Sequence, residues 1–196
     1  MMCFGVDEAG RGPLAGPVVA GAVWLGDAAI AGLNDSKKLS AKRRAVLEAQ
    51  IKAQAHWAVG VVEAAEIDRI NIFAATMLAM TRAVEALVLK VGDPPMVLID
   101  GNKTPEGRVE AWRWPARAIV GGDASEAAIS AASIIAKEHR DRIMQALAAQ
   151  HPQYGWERNA GYGTAEHLAA LQAHGATLHH RVSFAPVAKV LGAVQK

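Results

Sequence analysis

The sequence predicts a three-layer α/β fold, in which a mixed five-stranded sheet is flanked by helices and further helices lie toward the C-terminus. Two observations support this. Apolar, β-branched stretches bounded by turn formers come first as consecutive strands, and later strands alternate with segments of helical periodicity. A meander followed by strand–helix alternation gives a sheet with both antiparallel and parallel pairs. Because 196 residues suit one full-sized core, we expect a single domain over residues 1–196.

Five strands and the helices between them can be placed in order. The strands are "CFGVDEAG", "PVVAGAVWL", "HWAVGVVEA", "PPMVLIDG" and "ARAIV", and the first two form a hairpin around a Gly/Pro turn. The helices follow from caps and from apolar residues at steps of three and four. They run from Ser40 to about Ala55, as a pair from Glu66 to about Lys90 that breaks near Asn71, from Ser125 to Ala149, and across "TAEHLAALQAHG" to Gly175.

Composition and charge narrow the class of protein. The formal net charge of +2 is too small to mark the whole chain as a polyanion binder, so any nucleic-acid contact has to come from a local patch. Apolar runs such as "PVVAGAVWL" stop well short of the ~20 residues that a bilayer span requires. Acidic residues interrupt the N-terminus where a signal peptide needs an apolar stretch, and Cys3 has no partner for a disulfide. We therefore expect a cytoplasmic protein without a membrane segment.

Acidic residues lie on or just after three of the predicted strands. Asp7 and Glu8 lie in the first strand, Asp100 ends the fourth, and Asp123 follows the fifth. Because ligands of open α/β sheets bind at strand ends, side chains that are distant in sequence can converge there. Clustered carboxylates repel one another, and bound divalent cations relieve that repulsion. Since oxygen-only ligand sets favour magnesium or manganese, the pattern predicts a site for Mg²⁺ or Mn²⁺.

Some of these carboxylates also have a purely structural explanation. Asp123 followed by Glu126 fits a helix-capping pattern, and Asp100 before "GN" fits a turn. The pair Asp7 and Glu8 has no such local use inside an apolar strand. Because neighbouring strand side chains point to opposite faces, the two cannot both reach one ion from a regular strand. Either the strand is distorted just after Glu8, or Glu8 contributes partly through its main-chain carbonyl.

A loop with two glycines follows the first strand, and a basic run follows the second. "GRGPLAG" lacks the spacing of a dinucleotide-binding fingerprint, and no Gly-Lys-Ser/Thr marks a Walker loop. Gly10 and Gly12 can expose main-chain donors, with Arg11 between them to meet a phosphate or a sugar. The alternative is an ordinary hairpin turn with a solvated arginine. In "KKLSAKRR", residues 37–44, five of eight positions are basic, and Lys37 is a candidate phosphate contact unless the run is only a solvated helix face.

Several motifs, in order along nearly the whole chain, resemble those of bacterial ribonuclease HII, a family of the ribonuclease H-like superfamily. They are "VDEAGRGPLAGPVV", "GLNDSKKLS", "EIDRINIFAATMLAM", "VLIDGN", "GGD", "ISAASIIAK" and "HHRVSFAPV". The resemblance implies a ribonuclease H-like fold and a metal-dependent endonuclease. Such enzymes cleave the RNA strand of RNA/DNA hybrids and cut 5′ of ribonucleotides misincorporated in duplex DNA, as ribonucleotide excision repair requires. The family's four acidic residues fall here on Asp7, Glu8, Asp100 and Asp123.

The resemblance also implies how cofactor and substrate are bound. Two Mg²⁺ or Mn²⁺ ions held ~3.5–4 Å apart by shared carboxylates would hydrolyse the phosphodiester to a 3′-OH and a 5′-phosphate. The family's Gly-Arg-Gly, here Gly10, Arg11 and Gly12, reads the 2′-OH of a ribonucleotide followed by DNA. Its junction-sensing tyrosine falls on Tyr162, for which packing under the following helix is the alternative.

The implied partners are RNA/DNA hybrids and ribonucleotide-containing duplex DNA, and we expect a monomer, with a sliding clamp as a candidate partner. One departure concerns Asn159 and Ala160, which replace the His-Lys that relatives commonly carry before the Gly-Tyr. Two other classes share part of the pattern. Another nuclease of the superfamily, such as a resolvase or an exonuclease, would have the acidic cluster but not the Gly-Arg-Gly with Tyr162. A non-catalytic nucleic-acid-binding module is the other alternative.

Overall fold

A five-stranded mixed sheet forms the centre of the protein. The structure is a computed structural model, and it describes residues 2–194. The strands are β1 Phe4–Ala9, β2 Val18–Trp24, β3 His56–Val62, β4 Val97–Asp100 and β5 Ala116–Ile119. They lie in the order β3-β2-β1-β4-β5, in which β2 is antiparallel to both of its neighbours, β3 and β1, while β1, β4 and β5 are parallel. The predicted mixed sheet is confirmed, and its parallel half brings three strand ends to one edge.

Helices flank and follow this sheet, and several begin at caps that the sequence marks. They are α1 Ala41–Gln54, α2 Ala64–Ile70, α3 Ile72–Val91, α4 Gly122–Ser125, α5 Ala127–Gln150, α6 Trp156–Asn159, α7 Ala165–His174 and α8 Ala185–Val194. The Ser40 hydroxyl caps α1 by accepting from the Arg43 main-chain nitrogen at 3.2 Å. Asn71, with a φ of 68°, separates α2 from α3 and caps α3 through its side chain. The predicted break at this residue is confirmed.

The helix predicted from Ser125 to Ala149 differs from the structure at its start. α4 ends at Ser125, Glu126 is extended with φ −114° and ψ 114°, and α5 begins only after it. No side chain caps either α4 or α5. The capping explanation for Asp123 is therefore wrong, and its carboxylate is free for another role at the sheet edge.

Two long helices cover opposite faces of the sheet and decide which way its polar side chains point. α3 packs on β3 and β2, and α5 packs on β1 and β2. A Cβ on Gly5 would lie 2.2 Å from the carbonyl carbon of Ala128, so only glycine allows α5 to approach β1 this closely. Val6 belongs to the core cluster shared with α3. Because strand side chains alternate, Asp7 lies on the α5 face and Glu8 on the α3 face.

Within the described residues, α3 alone is long and apolar enough to cross a membrane by length and composition. Half of its most apolar stretch is buried inside the protein. The helix contributes Ala79, Met80, Val84 and Leu87 to the main hydrophobic core. Its apolar character is therefore explained by packing against the sheet.

Candidate active site

Three carboxylates from separate elements meet at the edge where the parallel strands end. The β1–β4 register pairs Val6 with Ile99. The residues that follow them, Asp7 and Asp100, are therefore neighbours on parallel strands. α4 brings Asp123 to the same place, and the Asp123 main-chain nitrogen donates to Asp100 Oδ1 at 3.2 Å. One oxygen from each of these three side chains lies within 4.8 Å of the others, as the sequence predicts.

The electrostatics of this cluster favour a bound cation. Asp7 is only 5% exposed, and burial, followed by the charges of Glu8 and Asp100, raises the pKa of its carboxyl well above the usual range. Burial and then the charge of Asp100 also raise the pKa of Asp123. Without a cation, the surroundings of these carboxyl groups favour their protonated forms. A bound divalent cation would instead favour the ionised carboxylates. Its all-oxygen donor set fits Mg²⁺ or Mn²⁺.

Glu8 approaches the edge from the opposite face and is not one of the three clustered carboxylates. Its Oε1 lies 3.4 Å from Arg11 Nη1, and its main-chain nitrogen donates to Asp7 Oδ1 at 2.7 Å. Burial raises the pKa of Glu8, Arg11 lowers it, and Asp100 raises it. Glu8 and Asp100 line a small cleft together with Lys103. The pleat of β1 therefore separates the two acidic neighbours as expected, while both stay close to Asp100.

A larger cleft of about 790 Å³ opens beside the carboxylates. It is lined by Glu8 and by all five residues that the sequence predicts to bind substrate: Gly10, Arg11, Gly12, Lys37 and Tyr162. Three further basic side chains contribute to its walls: Arg44, Lys137 and Arg140. The lining is therefore rich in basic residues, although Arg44 and Lys137 are paired with Glu138 and Asp141 of α5.

Within the basic run over residues 37–44, some side chains have structural partners, and among the described residues Lys37 faces the cleft unpaired. Arg44 donates through Nε to Glu138 on α5 at 2.7 Å. Arg43 donates to the carbonyl of Ala31 at 3.1 Å. In the part of the chain that the structure describes, Lys37 is exposed and makes no ion pair, although it lines the cleft. Lys37 is thus the residue of this run best placed to contact phosphate.

Two buried arginines that the sequence analysis missed hold the glycine loop from below. Arg140 on α5 and Arg181, which precedes α8, are 1% and 0% exposed. Their guanidinium groups donate to main-chain carbonyls of residues 10, 11, 15, 16, 17 and 160. Burial lowers the pKa of both, and for Arg181 the nearby Arg140 charge contributes to a value of about 9. Guanidinium groups keep their proton in proteins, so both side chains are cations. Because the bonds to the loop span 123 to 171 residues, no local pattern marks these arginines.

The two glycines of the loop are required for different reasons. Gly10 has a φ of 96°, and a Cβ there would lie 2.1 Å from Arg140 Nε. A Cβ on Gly12 would approach Tyr162 Cε1 only to 3.4 Å, which is ordinary van der Waals contact. The packing of the protein itself thus demands glycine at position 10. At position 12 it does not, and a side chain there would extend toward Tyr162.

We expect Gly10→Ala to destabilise the protein and Gly12→Ala to leave its stability nearly unchanged. A positive φ costs an L-residue about 1–2 kcal/mol, and overpacking against Arg140 costs about 1–3 kcal/mol more. The exposed Gly12 site should change the free energy of unfolding by no more than about 0.5 kcal/mol. Urea unfolding of both variants measures the difference, and equal destabilisation would contradict the separate roles of the two glycines.

Tyr162 lies in the turn after α6 and faces the cleft rather than packing under α7. Its side chain is 48% exposed, and its ring is in reach of Gly12. The Tyr162 carbonyl oxygen lies 2.9 Å from Nδ1 of the buried His167. His167 Nε2 in turn lies 3.1 Å from Nε2 of the buried His180. The turn is therefore anchored to the interior while the phenol remains open to a ligand.

Asn159 and Ala160 have structural roles in the same turn. Asn159 is buried, donates through Nδ2 to the Tyr154 carbonyl at 2.8 Å, and accepts from the Gly161 main-chain nitrogen at 2.9 Å. Ala160 adopts a φ of 48°, and its carbonyl accepts from Arg140. This part of the chain thus presents Tyr162 through main-chain geometry, without a charged side chain at either position.

Comparison with known proteins agrees with this site. A family model described as Ribonuclease HII matches residues 4–187. The chain belongs to the ribonuclease HII family. Ribonuclease HII of Novosphingobium aromaticivorans is 67% identical to it over 97% of this chain and 98% of that relative. As a member of this family, the protein is a metal-dependent endonuclease of the ribonuclease H class, and the clustered Asp7, Asp100 and Asp123 agree with that activity.

Solved structures show the same fold. Ribonuclease H2 from Pyrococcus horikoshii OT3 superposes with a TM-score of 0.79 at 25% identity, and the match covers 100% of both chains. The ribonuclease HII from Archaeoglobus fulgidus, solved in a complex with PCNA, has a TM-score of 0.75 at 24% identity over 94% of this chain and 95% of that one. The ribonuclease H-like fold that the sequence predicts is thereby confirmed.

Proposed function

We propose that the protein cleaves the RNA strand of RNA/DNA hybrids and cuts duplex DNA on the 5′ side of a single ribonucleotide. The observation that carries this proposal is the position of the glycine loop and Tyr162 in one cleft beside the acidic cluster. The carboxylates alone would serve any nuclease. A loop of open main chain opposite an exposed aromatic ring is suited to testing a sugar for its 2′-OH and for the change from RNA to DNA.

Different groups in the cleft bind different parts of the substrate. We assign contact with the ribose to the main chain of the loop from Gly10 to Gly12, and stacking at the junction to Tyr162. Arg11 and Lys37 supply the positive charge that a phosphate backbone needs, and such contacts position a duplex without reading its sequence. This division explains how a chain with a net charge of only +2 can bind a polyanion.

Asp7, Asp100 and Asp123 would hold two divalent ions, Mg²⁺ or Mn²⁺, with Glu8 completing the ligand set from the other face of β1. When bound, such ions activate a water molecule and stabilise charge on the leaving oxygen. The scissile phosphate lies 5′ of the ribonucleotide. The water oxygen bonds to phosphorus while the bond from phosphorus to O3′ breaks. The products are a 3′-OH upstream and a 5′-phosphate on the ribonucleotide, and no covalent intermediate forms with the protein.

One cleavage assay tests this proposal against the alternatives. The substrates are duplex DNA with one ribonucleotide, an RNA/DNA hybrid and an all-DNA duplex, each incubated with Mg²⁺ or Mn²⁺ and with a chelator. We expect cleavage of the first two substrates alone, with 3′-OH and 5′-phosphate ends and complete loss of cleavage with the chelator. Cutting of all three substrates would indicate a resolvase or exonuclease type, and cutting of none would indicate a binding module.

We expect Lys37→Ala to weaken binding of every duplex by a similar factor. Loss of one phosphate contact should lower affinity and reduce the slope of log affinity against log salt concentration by about one. The preference for a ribonucleotide over an all-DNA duplex should not change. Fluorescence anisotropy over a range of salt concentrations measures both quantities, with Lys42→Ala on the exposed start of α1 as the control. A changed ribonucleotide preference would contradict a pure phosphate contact.

We further propose that residues 1–196 form a single catalytic domain that acts as a monomer in the cytoplasm. The continuous sheet with helices on both faces supports one folding unit. A sliding clamp is the proposed protein partner, because the relative from Archaeoglobus fulgidus was solved with PCNA. The end of the C-terminus, where we place that contact, lies outside the described residues. Light scattering on the chain, alone and mixed with the clamp of its own organism, tests both statements.

A further inference from the structure

We propose that Arg181 is a positioning residue, which orients the main-chain N–H groups of Arg11 and Gly12 toward the ribonucleotide. This inference rests on the proposed function and names the element that gives the loop its selectivity. Arg181 itself lies beneath the loop, where it is 0% exposed, and does not line the cleft. It therefore acts through the main chain rather than by touching the substrate.

Arg181 engages the loop through all three of its guanidinium nitrogens. Nη2 donates to the Gly10 carbonyl at 2.6 Å, Nη1 to the Arg11 carbonyl at 2.9 Å, and Nε to the Gly16 carbonyl at 3.0 Å. Its own main-chain nitrogen donates to the Leu14 carbonyl at 2.8 Å. Four carbonyls of the loop are thus fixed from one residue. The rigid, planar guanidinium sets the relative orientation of two consecutive peptide groups.

Because the peptide groups of the loop are trans, carbonyls that point inward to Arg181 leave the N–H groups of the same peptides pointing outward. Carbonyl and N–H of one peptide group point in opposite directions, and no peptide bond in the described residues is cis. Since the Gly10 and Arg11 carbonyls point down to Arg181, the N–H groups of Arg11 and Gly12 point away from it. Both residues are exposed and line the cleft, and neither N–H has a hydrogen-bond acceptor within the described residues. Two neighbouring donors are therefore directed at a ligand.

The surroundings of Arg181 favour a functional role for this buried arginine over a purely stabilising one. No carboxylate forms an ion pair with either buried arginine in the described part of the chain, and Arg140 lies close enough to Arg181 to lower its pKa. Burying two cations without a directly paired carboxylate is costly, and apolar packing would fill the same space at lower cost. Buried arginines are explained if the orientation of the loop carbonyls is important for function, because an apolar side chain makes no hydrogen bonds and cannot fix a peptide plane.

Arg181→Lys tests the inference because it replaces the planar guanidinium group by an ammonium group and keeps the positive charge. Dissociation constants are measured with Ca²⁺ in place of Mg²⁺ for two duplexes, one all-DNA and one with a single ribonucleotide, and their ratio is the selectivity. We expect Arg181→Lys to lower this ratio about tenfold, which corresponds to the loss of one or two hydrogen bonds. The constant for the all-DNA duplex should stay within about twofold. Melting temperatures report whether each variant is folded.

The matched control is Arg142→Lys on α5. Arg142 also makes a two-pronged contact, to Glu48 at 2.6 and 2.9 Å, but neither of these residues lines the cleft. We expect a lower melting temperature and an unchanged ratio. An unchanged ratio in a folded Arg181→Lys variant, while the wild type shows the preference, would overturn the inference alone. Absence of any preference in the wild type would overturn the proposed function and the inference together.

Amide hydrogen exchange on the wild-type protein gives an independent test that does not depend on the variant folding. We expect the Arg11 and Gly12 amides to exchange fast in the free protein. They should become protected by the ribonucleotide duplex and not by the all-DNA duplex. Slow exchange in the free protein, or equal protection by both duplexes, would show that these donors are not directed at the ribonucleotide.

Discussion

Asp100→Asn is expected to reduce kcat for cleavage beside a ribonucleotide by a factor of about a thousand or more while leaving the fold intact. Asp100 lies between the other acidic side chains, since it accepts from the Asp123 main chain and raises the pKa of Asp7 and Glu8. An amide is a poor substitute for an anionic ligand. Several kcal/mol of transition-state stabilisation come from bound ions, and each 1.36 kcal/mol corresponds to a factor of ten in rate. Single-turnover kinetics with saturating Mg²⁺ or Mn²⁺ measure the loss.

The matched control for this substitution is Asp93→Asn. Asp93 is an exposed aspartate near the opposite ends of the strands, where it accepts from Trp114 Nε1 at 2.6 Å, a bond that asparagine can still accept. Its replacement should leave kcat within about twofold and the circular dichroism spectrum unchanged. Substantial turnover by Asp100→Asn with both metals would show that Asp100 is not a shared ligand.

Asp7→Asn is expected to abolish cleavage and, in the metal-free protein, to raise the melting temperature at neutral pH. Burial and the charges of Glu8 and Asp100 raise the folded-state pKa of Asp7 above its ordinary value of 3.8. A carboxyl with a raised folded-state pKa contributes stability that is present below the unfolded-state pKa and is lost as the pH rises through the folded-state value. Asparagine does not titrate and avoids that loss. Each kcal/mol gained should raise the melting temperature by roughly 2–4 °C.

The pH and metal dependence of melting checks this explanation. In chelator, the melting temperatures of wild type and Asp7→Asn should agree most closely near pH 4 and diverge as the pH rises. Saturating Mg²⁺ should stabilise the wild type by mass action and should stabilise the variant much less. If the variant were less stable than the wild type in chelator at neutral pH, Asp7 would be contributing a hydrogen-bonding role that outweighs the cost of its charge.

Local features of the sequence predicted most of the fold and the positions of the acidic residues. Strand patterns, the cap at Ser40 and the break at Asn71 depend on interactions within a few residues, and both the cap and the break are confirmed. The convergence of Asp7, Asp100 and Asp123 was predictable because parallel strands end at one edge. The helix boundary near Glu126 was wrong, since a capping pattern looks the same whether or not the chain bends there.

What the sequence did not reveal depends on contacts between distant segments. Arg140 and Arg181 look like any surface arginine until the folded chain shows both beneath the glycine loop. The requirement for glycine at position 10 follows from Arg140 and was equally invisible. In the sequence, Gly10 and Gly12 belong to one Gly-Arg-Gly motif and cannot be distinguished. The structure separates a residue demanded by packing from one that leaves room for a ligand.

The strand order has a consequence for when this enzyme can become active during its synthesis. Asp7 is among the first residues synthesised, its parallel neighbour β4 follows about halfway along the chain, the helix that carries Asp123 comes later, and Arg181 comes near the end. Pairing of such distant segments is slow compared with local folding. The acidic cluster and the support of the glycine loop can therefore assemble only after nearly the whole chain has been synthesised.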